Sequence, residues 1–344
     1  MTTAGNERYW GIVAPLMPAG MIAEAAKQQE DTGLLGTFAA QVYGPPWTAL
    51  AAAATTTTRL QLASGIAQAF VRSPFETAMT AMDLDRISGG RFVLGLGPTV
   101  RSWSEGAYGV PGYGRPLAHL REAVEVIRLV IAKSHTGELK HFKGSYYNFD
   151  WSEFQGAPPP LRTELPIWLA AVRGPLVELA AEISDGLIGH PIWSVKWATT
   201  TVPEHLQTGL AHAGKQRSDV HVCTWFWVTP NTDVKESVND ARACVAFYGG
   251  VEQYESYFAA HGFGAEARQL QEGVKRGDYR SVAHLVPDDM ASTFVVTGTP
   301  DEVRRKLQPV WEVADSMLLV PPLLTIEPEK SAQYFATIGE TFFA

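Results

Sequence analysis

Four short segments of this chain combine glycine with residues that could bind or react. Ser64-Gly65-Ile66 ends one apolar run, and a glycine there permits a bulge or an unusual peptide geometry. Gly95-Leu96-Gly97-Pro98 ends a second, where two glycines let a flat ligand approach the backbone. Ala171-Val172-Arg173-Gly174-Pro175 leads from a third run into a helix that starts with proline. Free N–H groups, the positive end of the helix dipole and a fixed guanidinium would suit a phosphate there, although a surface arginine beside a helix start reads the same way. His190 ends a fourth run, where it is either a hydrogen-bonding group of a site or a satisfied histidine of the core or rim.

Other chemistries are excluded by what the chain lacks. It has no Walker A loop, no GxSxG elbow and no HExxH, and Gly95-Leu96-Gly97 is followed by Pro98-Thr99-Val100, so a dinucleotide fingerprint fails at its third glycine. His205 and His212 share a helix face but, seven residues apart, stand about 10 Å from each other, too far to ligate one metal. Two cysteines, Cys223 and Cys244, provide neither a disulfide framework nor a CxxC pair.

The elements that must position these residues alternate from the start. Strand-like runs at 9–16, 37–41, 60–66, 92–96, 167–172, 186–190, 220–228, 294–296 and 316–320 are separated by helical stretches at 21–32, 48–56, 74–87, 117–132, 175–184, 203–213, 234–248, 300–310 and 328–342. Parallel strands need crossover helices, and about eight such units over 344 residues predict a closed (β/α)8 TIM barrel, an α/β fold, in one domain over 1–344. The surplus length lies near 97–116, 135–165 (with a hairpin at 141–150) and 249–289, and loops of such length in compact domains are usually functional.

Composition sets the remaining bounds. With 46% hydrophobic and 19% charged residues the chain can bury a large core, and 28 Lys+Arg against 36 Asp+Glu give a net charge of −8. That balance, without a basic cluster, argues against nucleic acid or an anionic membrane as partner. The N-terminus lacks a signal-peptide pattern and no apolar run reaches the ~20 residues of a membrane span, so a soluble cytoplasmic protein is expected. Trp103, Tyr108, Tyr113, Trp193 and Trp197 on the expected rim hint at an apolar or planar organic substrate.

The segment TTTTRLQLASGIAQAFVRSPFETAMTAMDLDRISGGRFVLGLGP resembles the signature of the luciferase-like flavin superfamily, with Arg59, Gly65-Ile66, Arg72, Pro74, Leu84-Asp85, Ser88, Gly90-Arg91 and Gly95-Leu96-Gly97 in the expected order. PIWLAAVRGPLVELAAEISDGLIGH and TGTPDEVRRKL match two later superfamily segments, so the likeness covers almost the whole chain. VAFYGGVEQYESYFAAHGFG is similar to an actinobacterial branch of coenzyme F420-dependent oxidoreductases, where F420 names an 8-hydroxy-5-deazaflavin hydride carrier.

The resemblance implies an insertion-bearing TIM barrel with a redox cofactor at the C-terminal ends of its strands. It makes Gly65-Ile66 a non-proline cis peptide behind the cofactor ring. Ala39, Gly97 and Pro98 would flank the cofactor, and Ala171, Val172, Arg173 and Gly174 would hold its phosphate. His190 and Gln41 become candidates for hydrogen bonding the reacting oxygen. Relatives of this branch often carry Thr-Ala-Glu where this chain has Ala39-Ala40-Gln41, and a neutral glutamine takes no proton. Three functions follow: hydride transfer between coenzyme F420 and a small organic substrate, FMN-dependent monooxygenation on the same barrel, or a cofactor-free barrel with a binding or structural role. Dimerisation is common among such relatives.

Overall fold

The computed structural model describes residues 5–14, 16–42 and 44–344. Eight parallel strands form its centre: β1 (Tyr9–Val13), β2 (Gly36–Ala39), β3 (Gln61–Ser64), β4 (Phe92–Gly97), β5 (Ile167–Ala171), β6 (Gly186–Gly189), β7 (His221–Pro230) and β8 (Ser316–Val320). Each pairs with the next, and β8 pairs with β1 (Tyr9 opposite Met317), so the sheet closes into a (β/α)8 barrel. The expected strand over 9–16 stops at Val13, and its residue 15 lies outside the described residues.

The helices are α1 (Ala19–Thr32), α2 (Trp47–Ala54), α3 (Pro74–Ser88), α4 (Pro116–Lys133), α5 (Gly174–Ile183), α6 (Val195–Ala213), α7 (Val234–Gly249), α8 (Glu255–Ala260), α9 (Gly264–Arg276), α10 (Asp288–Phe294), α11 (Pro300–Leu307) and α12 (Pro328–Ile338). Local chemistry sets their ends. Ser73 accepts from the Phe75 N–H ahead of Pro74 at the start of α3, and Gly89 closes it at φ 67°, a conformation open to glycine. Thr299 and Glu302 form a reciprocal capping box on α11.

Two expectations are corrected. The helix expected over 203–213 begins eight residues earlier, at Val195, where Ser194 accepts from the Trp197 N–H; Pro203 lies inside it. The run at 294–296 is split between the end of α10 and a short strand, Val296–Gly298, which extends the outer end of β7 and takes no part in closing the barrel. The hairpin at 141–150 forms as an antiparallel pair, and its turn is held by Glu122 of α4, which accepts from the Ser145, Tyr146 and Tyr147 N–H groups.

Strand side chains alternate between two cores. One face packs outward against the helices. The other fills the barrel with Trp10, Phe38, Trp168 and Trp225 among smaller residues; ring centroids are 4.4 Å apart for Trp10–Phe38 and 4.8 Å for Phe38–Trp225. The barrel is therefore plugged, and a ligand meets it at the mouth.

At the opposite end, buried Glu30 of α1 accepts from the Thr58, Arg59 and Leu60 N–H groups at 2.7–2.9 Å. Burial pushes its carboxyl up, but the three N–H donors and Lys27 outweigh that and bring it from 4.5 down to about 2. Such a lowered value stabilises the fold above the unfolded-state pKa. A contribution on the order of 3 kcal/mol is expected to be complete above about pH 5 and lost as pH falls towards 2. Urea unfolding across this range checks it: Glu30→Gln should flatten the acid limb, and an unchanged pH profile refutes the assignment.

Candidate functional site

The C-terminal ends of the strands bring the sequence-chosen residues to one rim. Ala39 O accepts from the Gly65 N–H (2.9 Å), and Ile66 O accepts from the Gln41 N–H (3.0 Å). The peptide between Gly65 and Ile66 is cis. A Cβ on Gly65 would stand 2.5 Å from Phe38 and 2.7 Å from Trp225, so only glycine fits above the aromatic plug. Ile66 leans on Gly97, whose imagined Cβ would meet its Cδ1 at 2.4 Å. Ala39, Gly65, Ile66 and Gly97 thus form one continuous apolar wall, with Pro98 following at the end of β4.

Gln41 is buried and committed at both ends of its side chain. Its Oε1 accepts from the Gln68 N–H (3.0 Å) and its Nε2 donates to the Tyr108 hydroxyl (3.2 Å). It ties the wall to the 97–116 loop, which coils into a wide π-type turn at Ser102–Ala107. The Oε1 of Gln68, buried beside this junction, has no hydrogen-bond partner among the described residues.

Across the rim, Ala171 ends β5 and Val172 O accepts from the Trp193 indole N–H (2.9 Å). Arg173 precedes α5 without a side-chain cap on the helix. Its guanidinium is exposed, donates to Ser256 Oγ of α8 (3.0 Å) and forms no ion pair among the described residues. Gly174 has a packing reason of its own, since a Cβ there would stand 2.1 Å from the His205 imidazole. His205 in turn pairs with Glu178, on the outside of the barrel.

His190 follows β6, half-buried between Tyr248 (centroids 5.1 Å) and Tyr254 (5.6 Å). Desolvation pushes its imidazole down to about 3, so it is neutral at ordinary pH. The Ile192 N–H donates to its Nδ1 (3.2 Å), which leaves the ring proton on Nε2, 3.5 Å from the Tyr254 hydroxyl. The site can therefore bind an anion at Arg173, seat a flat ring on the glycine wall and offer the Tyr254 hydroxyl as a neutral donor.

Sequence reasoning missed Tyr248 and Tyr254. They sit in and just after α7, and their signal was the aromatic density of VAFYGGVEQYESYF. Of the aromatics expected on the rim, Tyr108 bonds Gln41 and Tyr113 donates to Thr99 O, whereas Trp193 is fully buried and Trp197 packs on Tyr257. Much of the signature segment serves the scaffold. Arg91 donates to Ser88 O, Thr57 O and Leu60 O on the rear face, and Asp85 binds Arg162. Among the described residues no His, Cys, Asp and Glu cluster could hold a metal, and no helix is long and apolar enough to cross a membrane. Both cysteines are buried thiols, and burial pushes Cys223 up to about 12.

Known proteins share this fold. A Mycobacterium tuberculosis protein, provisionally named a coenzyme F420-dependent oxidoreductase, is 31% identical over 327 residues, covering 91% of this chain and 92% of the relative. The structure of coenzyme F420 dependent tetrahydromethanopterin reductase from Methanopyrus kandleri superposes with a TM-score of 0.80 at 22% identity, covering 97% of each chain. The oxygenating constituent of 3,6-diketocamphane monooxygenase from Pseudomonas putida, solved in complex with FMN, superposes at 0.65 with 15% identity over 97% of each chain. The luciferase-like monooxygenase family description matches residues 3–314. With its closed barrel, its glycine wall and this match over most of its length, the chain belongs to the luciferase-like monooxygenase family.

Proposed function

We propose that this chain is an oxidoreductase that passes a hydride between coenzyme F420 and a small organic substrate. The observation that carries the reading is Arg173, an exposed guanidinium without a carboxylate partner among the described residues, at the uncapped start of α5 on the same rim as the glycine wall. Its charge is free for an anionic tail, against the net −8 of the chain. The partnerless Oε1 of Gln68 adds a buried acceptor beside the wall, so the residues present fit a planar cofactor with polar edges. The preference for coenzyme F420 over FMN rests on the 31% identical mycobacterial relative.

When bound, coenzyme F420 supplies two-electron hydride exchange without the oxygen reactivity of a reduced flavin. The chain's own residues do the rest. Arg173 and the Gly174 N–H would hold the cofactor's phosphate, with Ala171 and Val172 shaping the approach. Ala39, Gly65, Ile66, Gly97 and Pro98 would back its ring, and Gln41 holds the 97–116 loop through Tyr108. His190, neutral at ordinary pH, donates a hydrogen bond and carries no charge into the site.

Titration of the purified protein with coenzyme F420 and with FMN tests this. Saturable binding of coenzyme F420 is expected, with Arg173→Ala weakening it by about 1–3 kcal/mol through the lost charged hydrogen bond. Tight FMN binding with oxygen-dependent turnover, and none of coenzyme F420, makes the chain a monooxygenase instead. An unchanged dissociation constant for Arg173→Ala returns that residue to the surface.

A further inference from the structure

Tyr254 reaches the mouth from the segment after α7, outside the barrel proper. Its ring lies against His190 and, edge-on, against Tyr248 at 5.7 Å. Burial pushes its hydroxyl up to about 12, with Tyr113 raising and Arg173 lowering it, so the phenol stays protonated. The direction of its contact with His190 is fixed. Because a backbone N–H must donate, the Ile192 N–H occupies Nδ1 as an acceptor, and a neutral imidazole then carries its proton on Nε2. Nε2–H points to the phenol oxygen, at 3.5 Å, and the phenol's own proton has no acceptor among the described residues. One half-buried O–H donor is thus left over in the mouth, polarised from behind by a neutral donor. Its proton is therefore available to an acceptor that enters the mouth.

Resting on the reading of this rim as a redox site, we propose that Tyr254 hydrogen-bonds the oxygen of the substrate, which is a carbonyl compound or the corresponding alcohol, and that His190 positions Tyr254. Gln41, the other candidate for that oxygen, already has both ends of its amide engaged by Gln68 and Tyr108. The ring neighbours of the donor, His190 and Tyr248, are aromatic, so the carbon frame of the substrate is apolar or planar. A site built around a hydrogen-bond donor discriminates strongly against an analogue lacking the acceptor, because its own polar group is then left unpaired.

The test uses full-length protein, with and without coenzyme F420, and two probes of nearly the same shape: acetophenone, and α-methylstyrene, in which CH2 replaces the oxygen. Binding is read by ligand-detected NMR. Wild type is expected to prefer acetophenone by tenfold or more, and Tyr254→Phe to lose the preference while its affinities for α-methylstyrene and coenzyme F420 hold. His190→Gln, which keeps an N–H donor, should retain the preference, and His190→Leu should reduce it. Equal affinity of wild type for the two probes, or a preference intact in Tyr254→Phe, overturns the proposal; identical values in His190→Gln and His190→Leu overturn the positioning role. Failure of coenzyme F420 to bind while the Tyr254-dependent preference persists rejects the cofactor reading and supports the carbonyl site.

Discussion

Gly95→Ala is expected to yield little folded protein. A Cβ at this position would stand 1.9 Å from the carbonyl oxygen of Ser64 and 2.7 Å from Ile188 Cδ1. The first atom belongs to the backbone of β3 and cannot swing aside as a long side chain could. Relief requires β3 and β4 to separate, which also breaks the two bonds by which Ser64 Oγ bridges the Gly95 N–H (2.9 Å) and Gly95 O (2.8 Å). Ordinary overpacking costs about 1–3 kcal/mol, and two buried hydrogen bonds bring the total to about 4 kcal/mol or more. Gly106→Ala is the control, since a Cβ there meets nothing within 4 Å. Urea unfolding of the soluble fraction decides: a Gly95→Ala protein within 1 kcal/mol of wild type contradicts the packing described.

The second large effect is expected at Arg162. This residue, from the 135–165 excursion, places Nε and Nη2 on the carboxylate of Asp85 and donates from Nη2 to Phe92 O (2.6 Å). Asp85 is 1% exposed, so removing the guanidinium strands a buried charge. Arg162→Ala should cost about 3–5 kcal/mol and lower the Tm by roughly 5–10 °C. Adding Asp85→Asn should recover part of the loss by removing the charge that had lost its partner. A double variant no more stable than the single one shows that Arg162 acts by packing and by its bond to Phe92 instead.

Most barrel strands were legible because they are buried on both faces and read as largely apolar runs; Ser316–Val320, buried throughout, falls on the expected residues without a shift. The start of α6 was not, because proline is common in first turns and Pro203 imitates one. In the protein, contacts of α6 with α5 override it: Gly209 sits against Glu178 O and His205 against Gly174. The rim itself was legible as glycines at strand ends. The use of Gln41 was not, since nothing local shows that Gln68 and Tyr108, which are 27 and 67 residues away, consume its amide. Tyr254 was hidden for the same reason, as its neighbour His190 lies 64 residues upstream. Of the signature residues, Asp85 and Arg91 support the scaffold on the rear face, so a motif that marks the family does not by that fact mark the chemistry.

The plugged barrel has a consequence for how such a protein can diversify. Trp10, Phe38, Trp168 and Trp225 fill the interior without contribution from the long excursions, while Tyr108, Tyr254 and Ser256 all enter the mouth from outside the strands. Other excursion residues, such as Arg162 on Asp85, serve the scaffold, but mutations at these three positions can change which molecule is accepted without touching the aromatic plug. Selection can act on the two nearly independently, so new specificities are reachable by drift in the excursions of an unchanged barrel.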